Sequence, residues 1–117
     1  MLNVKYSARA RKRTCVPPLN SKTMNEKLIE KKLREKVKSL KGIAIKFFSP
    51  WLTGMPDRMI LIPKGKIWFV EIKTTGKKPS PMQEKRIDML QRLGFKTAVI
   101  DDQVSLDNLL EEIQNGI

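Results

Sequence analysis

Three side chains in this sequence have the types and the spacing for phosphodiester hydrolysis. Asp57 stands in Gly54-Met55-Pro56-Asp57-Arg58, and Glu71-Ile72-Lys73 follows two apolar runs, Met59-Ile60-Leu61-Ile62 and Ile67-Trp68-Phe69-Val70. Cleaving a phosphodiester needs a water made nucleophilic near neutral pH and a means of holding charge that grows on phosphate. A hard divalent cation does both, and carboxylate oxygens are its natural ligands. Asp57 and Glu71 could supply two, and the backbone carbonyl of Ile72 a third. Lys73 falls on the face of Glu71 because strand side chains alternate. From there its ammonium could orient the attacking water or stabilise the pentavalent phosphorane. The chain has no histidine, which excludes mechanisms built on a His base or His metal ligands. Taken alone, Asp followed after a gap by Glu-x-Lys is a loose pattern, and solvated charges at strand ends would look the same.

What would make it a site is the element that carries it. The two apolar runs flank Pro63-Lys64-Gly65-Lys66 and read as a β-hairpin. Register then decides the chemistry. A turn of three residues, Pro63 to Gly65, sets Ile62 opposite Lys66 and Asp57 opposite Glu71. A turn of four would send Asp57 to the other face. The three-residue turn is expected, or a bulge at Gly65 that restores it. Both strands are apolar on both faces, so they are expected at the centre of a sheet covered on both sides.

The remaining elements follow from periodicity. Residues 24–41 read as a helix, with Leu28, Ile29, Leu33, Val37 and Leu40 inward, Thr23 as N-cap, Glu26 in a capping box and Gly42 as the stop. Ile43 to Phe48 is a strand candidate, and Ser49 to Gly54 a loop. Ser80-Pro81-Met82-Gln83 opens a second helix, with Ser as N-cap, Pro at N1 and Gln at N3, and with Ile87, Leu90 and Leu93 as its apolar face. Lys96 to Ile100 is a fourth strand, and Ser105 caps a last helix. The order helix, three strands, helix, strand, helix predicts an α/β fold with a mixed central sheet flanked by helices.

Glu30 lies beside the apolar stripe of the first helix. It could pair with Arg34 one turn on, or aim its carboxylate at the metal site. Glu26 is the alternative for that second role. Arg58, Lys46, Lys77 and Lys78 flank the proposed site and could grip phosphates. Trp51 could stack on an unpaired base or anchor its loop on the core.

Composition favours a polyanionic partner. The 117 residues include 24 Lys+Arg against 12 Asp+Glu, a net charge of +12. Residues 1–23 hold six of those cations and no acid, and read as a disordered basic extension ahead of one domain over 24–117. The single Cys15 offers no disulfide framework, which suits a reducing compartment. No apolar run approaches the ~20 residues of a membrane span, and no signal-peptide core follows the N-terminus.

Gly54-Met55-Pro56-Asp57-Arg58, then Val70-Glu71-Ile72-Lys73, then Gln83 opening a helix together resemble the VRR-NUC domain, the virus-type replication and repair nucleases of the PD-(D/E)XK superfamily. The resemblance runs from about Glu26 to Ile113. It implies an αβββαβ core of restriction-endonuclease type. It also implies Mg²⁺ or Mn²⁺ held by Asp57 and Glu71, and Lys73 as the catalytic lysine. Glu30 is the best match to the family's first-helix glutamate, with Glu26 as fallback, and Gln83 stands at the family's glutamine. Small members of this kind are structure-selective nucleases acting on branched DNA, of Holliday-junction or flap type, and are typically homodimers. The implied setting is the cytoplasm of a bacterial or phage-infected cell. A non-catalytic DNA-binding module on the same scaffold, or a restriction-type nuclease, would share these residues.

Overall fold

A computed structural model of the protein describes residues 23–116. The basic extension therefore lies almost wholly outside the described residues. The elements are α1 (Glu26–Ser39), β1 (Ile43–Lys46), β2 (Arg58–Ile62), β3 (Lys66–Ile72), α2 (Pro81–Arg92), β4 (Lys96–Ile100) and α3 (Gln103–Asn115). The expected order holds, and the strands form one sheet in the order β1-β2-β3-β4. The first two pairings are antiparallel and β3–β4 is parallel, joined through α2. The hairpin strands take the two central positions, as their two-sided apolar character requires.

The hairpin register is the three-residue one: Ile62 pairs with Lys66 and Arg58 with Val70. Lys64 and Gly65 both take positive φ, 73° and 74°, so the turn closes through two left-handed residues. Side chains alternate across the sheet. Ala44, Ile60, Ile62, Trp68, Val70, Ile72, Ala98 and Ile100 point to one face and pack with Ile29, Leu33 and Val37 of α1 and Leu106, Leu109 and Ile113 of α3. Phe69 and Val99 point to the other face, which α2 covers through Ile87 and Leu90 where it packs on β4. That second face is left partly open over β1 and β2. Ile43 and Ile45 are exposed there, while Met59, Leu61 and Ile67 are half-buried.

Several local expectations change. Asn25, not Thr23, caps α1: its side chain accepts from the Leu28 N–H at 2.9 Å, and Glu26 becomes the first helical residue. Met24 fixes this start, because its N–H donates to Thr75 Oγ1 at 2.8 Å and its carbonyl accepts from the Thr75 N–H at 3.0 Å. Leu28 and Leu93 lie outside the core, Leu93 at the C-cap of α2. The left-handed residue after α1 is Lys41, at φ 70°. Gly42 serves a close approach instead, since a Cβ there would sit 2.6 Å from the Leu61 carbonyl oxygen. Asp102 caps α3, and Ser105 returns the bond from N3 as the second half of a capping box. The capping box of α2 forms as expected, with Ser80 as cap and Gln83 at N3. Among the described residues no helix is long and apolar enough to cross a membrane.

Candidate active site

The site forms at the open end of the hairpin, where β3 leaves the sheet. Asp57 is the residue just before β2, so the Arg58–Val70 pairing places it across from Glu71. One carboxylate oxygen of Asp57 accepts from the Ile72 N–H at 3.2 Å. The other lies 3.3 Å from Arg58 Nη1. In an extended strand the N–H and C=O of one residue project to the same side. The Ile72 carbonyl is therefore turned toward β2 and Asp57. The next N–H, that of Lys73, points the other way and donates to the Ile100 carbonyl at 2.9 Å.

Glu71 is only 3% exposed. Its Oε2 accepts from Gln83 Nε2 at 2.9 Å and lies 3.3 Å from Lys73 Nζ. Its Oε1 is buried and accepts no hydrogen bond among the described residues. A buried carboxylate oxygen without a donor is costly, and a native site rarely leaves one without a reason. Burial pushes the Glu71 carboxyl up to about 7, the Asp57 charge adds to this, and Lys73 pulls against it. Asp57 is raised as well, by burial first, against the lowering pull of the Ile72 N–H and Arg58. Two carboxylates thus sit side by side in a part-buried place, where burial outweighs the pull of Arg58 and Lys73. The donor set, hard oxygens with one buried and unpartnered, fits a hard divalent cation.

The helix carboxylates divide. Glu30 is tied up in ion pairs, with Arg34 Nη1 at 2.9 Å and Arg58 Nε at 3.8 Å. The pairing expected with Arg34 is therefore present. The negative charge of Glu26, one turn earlier, reaches Asp57 and helps raise its carboxyl. Among the described residues no three Asp, Glu, His or Cys side chains converge as a ready-made metal cluster. The acidic pair and the strand-end carbonyl stand together, and neither helix glutamate closes the set in this arrangement.

Gln83 does two things at once. Its Oε1 accepts from the Ser80 N–H at 2.8 Å, completing the cap, while its amide nitrogen holds Glu71. Lys46 is exposed on the α1 side of the sheet, opposite Arg58 in the β1–β2 register. Lys77 and Lys78 are exposed on the loop after β3. Trp51 does not anchor its loop on the core: it is 85% exposed.

Two supports were not read from the sequence. Arg58 bridges Glu30 and Asp57, joining α1 to the site. Asp101, buried at the end of β4, accepts from the Gly76 N–H at 3.2 Å through its carboxylate. Thr75 Oγ1 meanwhile donates to the Asp101 carbonyl. Together with the Met24–Thr75 bonds this braces the loop that leaves Lys73. The available signal was an acid directly after a buried strand.

A mixed four-stranded sheet with an Asp and Glu-x-Lys set at the mouth of its central hairpin defines a class of nuclease fold. The family model of the VRR-NUC domain matches residues 2–103, and the chain belongs to that family. The match begins earlier in the chain than the motif-bearing stretch. A protein of Acyrthosiphon pisum secondary endosymbiont phage 1, named "Putative nuclease p44", is 45% identical over 80 residues, covering 68% of this chain and 86% of that protein. A solved structure described as a VRR_NUC domain superposes with a TM-score of 0.69 at 30% identity, over 74% of this chain and 94% of that one. A second, described as a VRR_NUC domain protein, gives 0.59 at 20% identity, over 80% and 88%, and shows the shared fold alone.

Proposed function

We propose that this nuclease is a Mg²⁺- or Mn²⁺-dependent endonuclease that hydrolyses phosphodiester bonds in branched DNA, of the kind repair, recombination or replication must resolve. The observation that carries the metal dependence is the buried, unpartnered Glu71 Oε1 beside Asp57. Asp57, Glu71 and the Ile72 carbonyl would hold the cation, with Glu26 or Glu30 completing its surroundings. When bound, the cation supplies charge neutralisation for the phosphate and a lowered pKa for water.

The chain's own residues have distinct tasks. Lys73 keeps its ammonium beside the acid pair, where it can donate to the attacking water or to a phosphate oxygen as charge grows there. Gln83 holds Glu71 in one rotamer from a fixed helix terminus. Arg58 balances Asp57, and Lys46, Lys77 and Lys78 offer exposed cations for flanking phosphates. Among the described residues no recognition helix or zinc finger accompanies the site, so shape rather than base sequence is the expected basis of selection.

The reading includes a homodimer. What supports it is the open apolar face of β1 and β2, with Ile43 and Ile45 exposed to solvent. Two sites related by a two-fold axis suit a two-fold branched substrate.

The test incubates purified protein with labelled blunt duplex, flap, single-strand and four-way DNA, in Mg²⁺, Mn²⁺ or EDTA, beside Asp57→Ala and Lys73→Ala. Cleavage of branched DNA is expected, abolished by EDTA and by either substitution while binding persists. Activity that survives both EDTA and Lys73→Ala rejects the mechanism. Binding without cutting under either metal favours a non-catalytic module.

A further inference from the structure

We propose that Phe48 and Trp51 form a stacking platform for unpaired bases beside the scissile phosphate, so that the enzyme engages DNA where pairing is interrupted. The proposal deepens the nuclease reading above and rests on it for the position of the phosphate.

These two aromatics are the most exposed large apolar side chains among the described residues, at 84% and 85%. They belong to the loop between β1 and β2, and that loop is held at several points. At its base the Phe47 N–H donates to the Asp57 carbonyl at 2.9 Å. On its far limb Arg86 Nε donates to the Thr53 carbonyl at 2.9 Å. Gly54, at φ 86°, lies so close to α2 that a Cβ would come within 2.6 Å of Met82 Cγ and 2.9 Å of the Met82 carbonyl oxygen. Pro56 is buried. Both attachments lead to the site: one ends on Asp57, the other on the first turns of α2, which carry Gln83. Phe48 and Trp51 are thus presented outward from a braced base next to the acid pair.

Charge selects the occupant. Residues 47–56 of the loop include no acid, and cations stand at both of its attachments, Lys46 at the base and Arg86 where the far limb is held. A nucleic acid brings phosphates for these cations and π-faces for the rings. Every base has a π-face, so such stacking tolerates any sequence. In an intact duplex those faces are covered by neighbouring bases and only edges are offered, so the platform discriminates against fully paired DNA.

Binding is measured in EDTA, which separates it from cutting. Fluorescence anisotropy compares a duplex containing a short single-stranded gap with a blunt duplex of equal length, for wild type, Phe48→Ala and Trp51→Ala. Each substitution is expected to weaken gapped-DNA binding about tenfold and to leave blunt-duplex binding within about twofold. In a Trp68→Phe background Trp51 is the sole tryptophan, and its emission is expected to be quenched by gapped but not blunt DNA. Equal losses on both DNAs, or none, overturn the platform. So does a dimer that dissociates on Trp51→Ala in sedimentation, since that would make the loop a protein contact. Both readings can fail independently. Protein that cuts nothing yet keeps the aromatic-dependent preference refutes the nuclease and leaves the platform. Protein that cuts gapped and blunt DNA alike, with and without the aromatics, does the reverse.

Discussion

Gln83 reaches from the first turn of α2 to Glu71, its amide nitrogen 2.9 Å from Oε2, while its amide oxygen caps the same helix through the Ser80 N–H. The helix terminus and the Glu71 carboxylate are therefore held by a single side chain. The residue that orients the acid is itself oriented by secondary structure.

This double role can be split. Gln83→Ala removes both bonds and is expected to lower cleavage about 10–100-fold, the usual cost of losing an outer-shell partner. Ser80→Ala removes only the hydroxyl acceptor of the cap and is expected to cost about 1 kcal/mol of stability with little loss of rate. Urea unfolding and single-turnover cleavage of both variants check the separation. Equal rate losses would mean that the cap, not the Glu71 contact, sets the activity.

The raised Glu71 carboxyl makes metal-free stability depend on pH in a definite direction. Folding lifts this group from its ordinary value near 4.5 to about 7, so between those values the native state binds more protons than the unfolded chain. Stability therefore falls as pH rises through that window, and the full cost is present above about 7. Asp57, also raised, acts with the same sign. Glu71→Gln is expected to stabilise the protein by about 2–3 kcal/mol at pH 8.5 and hardly at all at pH 4.5. Urea unfolding in EDTA at several pH values reads this directly.

The two helix glutamates are expected to behave differently. Glu30 is engaged with Arg34 and Arg58, so Glu30→Gln should cost about 1 kcal/mol of stability and leave much of the activity. Glu26 is exposed, and its charge reaches Asp57. Glu26→Gln should change stability by no more than about 0.5 kcal/mol and reduce metal-dependent cleavage more than Glu30→Gln does. Rates measured across a Mn²⁺ series, alongside thermal melts, decide between them. The reverse ranking would return Glu30 to the metal site.

The open face of β1 and β2 makes the proposed dimer testable. Ile43→Glu places a charge on an exposed apolar position outside the main core. It is expected to convert a dimer to monomer in sedimentation equilibrium without lowering the melting temperature of the monomer. An unchanged mass would move the two-fold contact elsewhere.

The site was legible where local rules are sharp. A three-residue turn and a period of two were enough to bring Asp57 across from Glu71, and Ser80-Pro81-Met82-Gln83 announced its helix. Caps with rival candidates were harder to read. Thr23 and Asn25 compete for α1, and Asp102 and Ser105 for α3. Distant bonds, such as Met24 to Thr75, choose between them. Leu28 and Leu93 look like core residues by spacing, but the partner that would cover each is absent from the fold among the described residues. The bridge through Arg58 and the exposure of Trp51 depend on how α1 and α2 sit against the sheet, and no local pattern carries that information.

The most direct test of the acid pair is calorimetric titration with Mn²⁺ at pH 7.5, in the absence of DNA. Wild type and Lys73→Ala should both bind, with protons released as the raised Glu71 carboxyl gives way to the ion, while Asp57→Asn and Glu71→Gln should bind far more weakly. Manganese binding that is undetectable in the wild type, or that is unchanged by both carboxylate substitutions, would contradict a metal-dependent nuclease centred on Asp57 and Glu71.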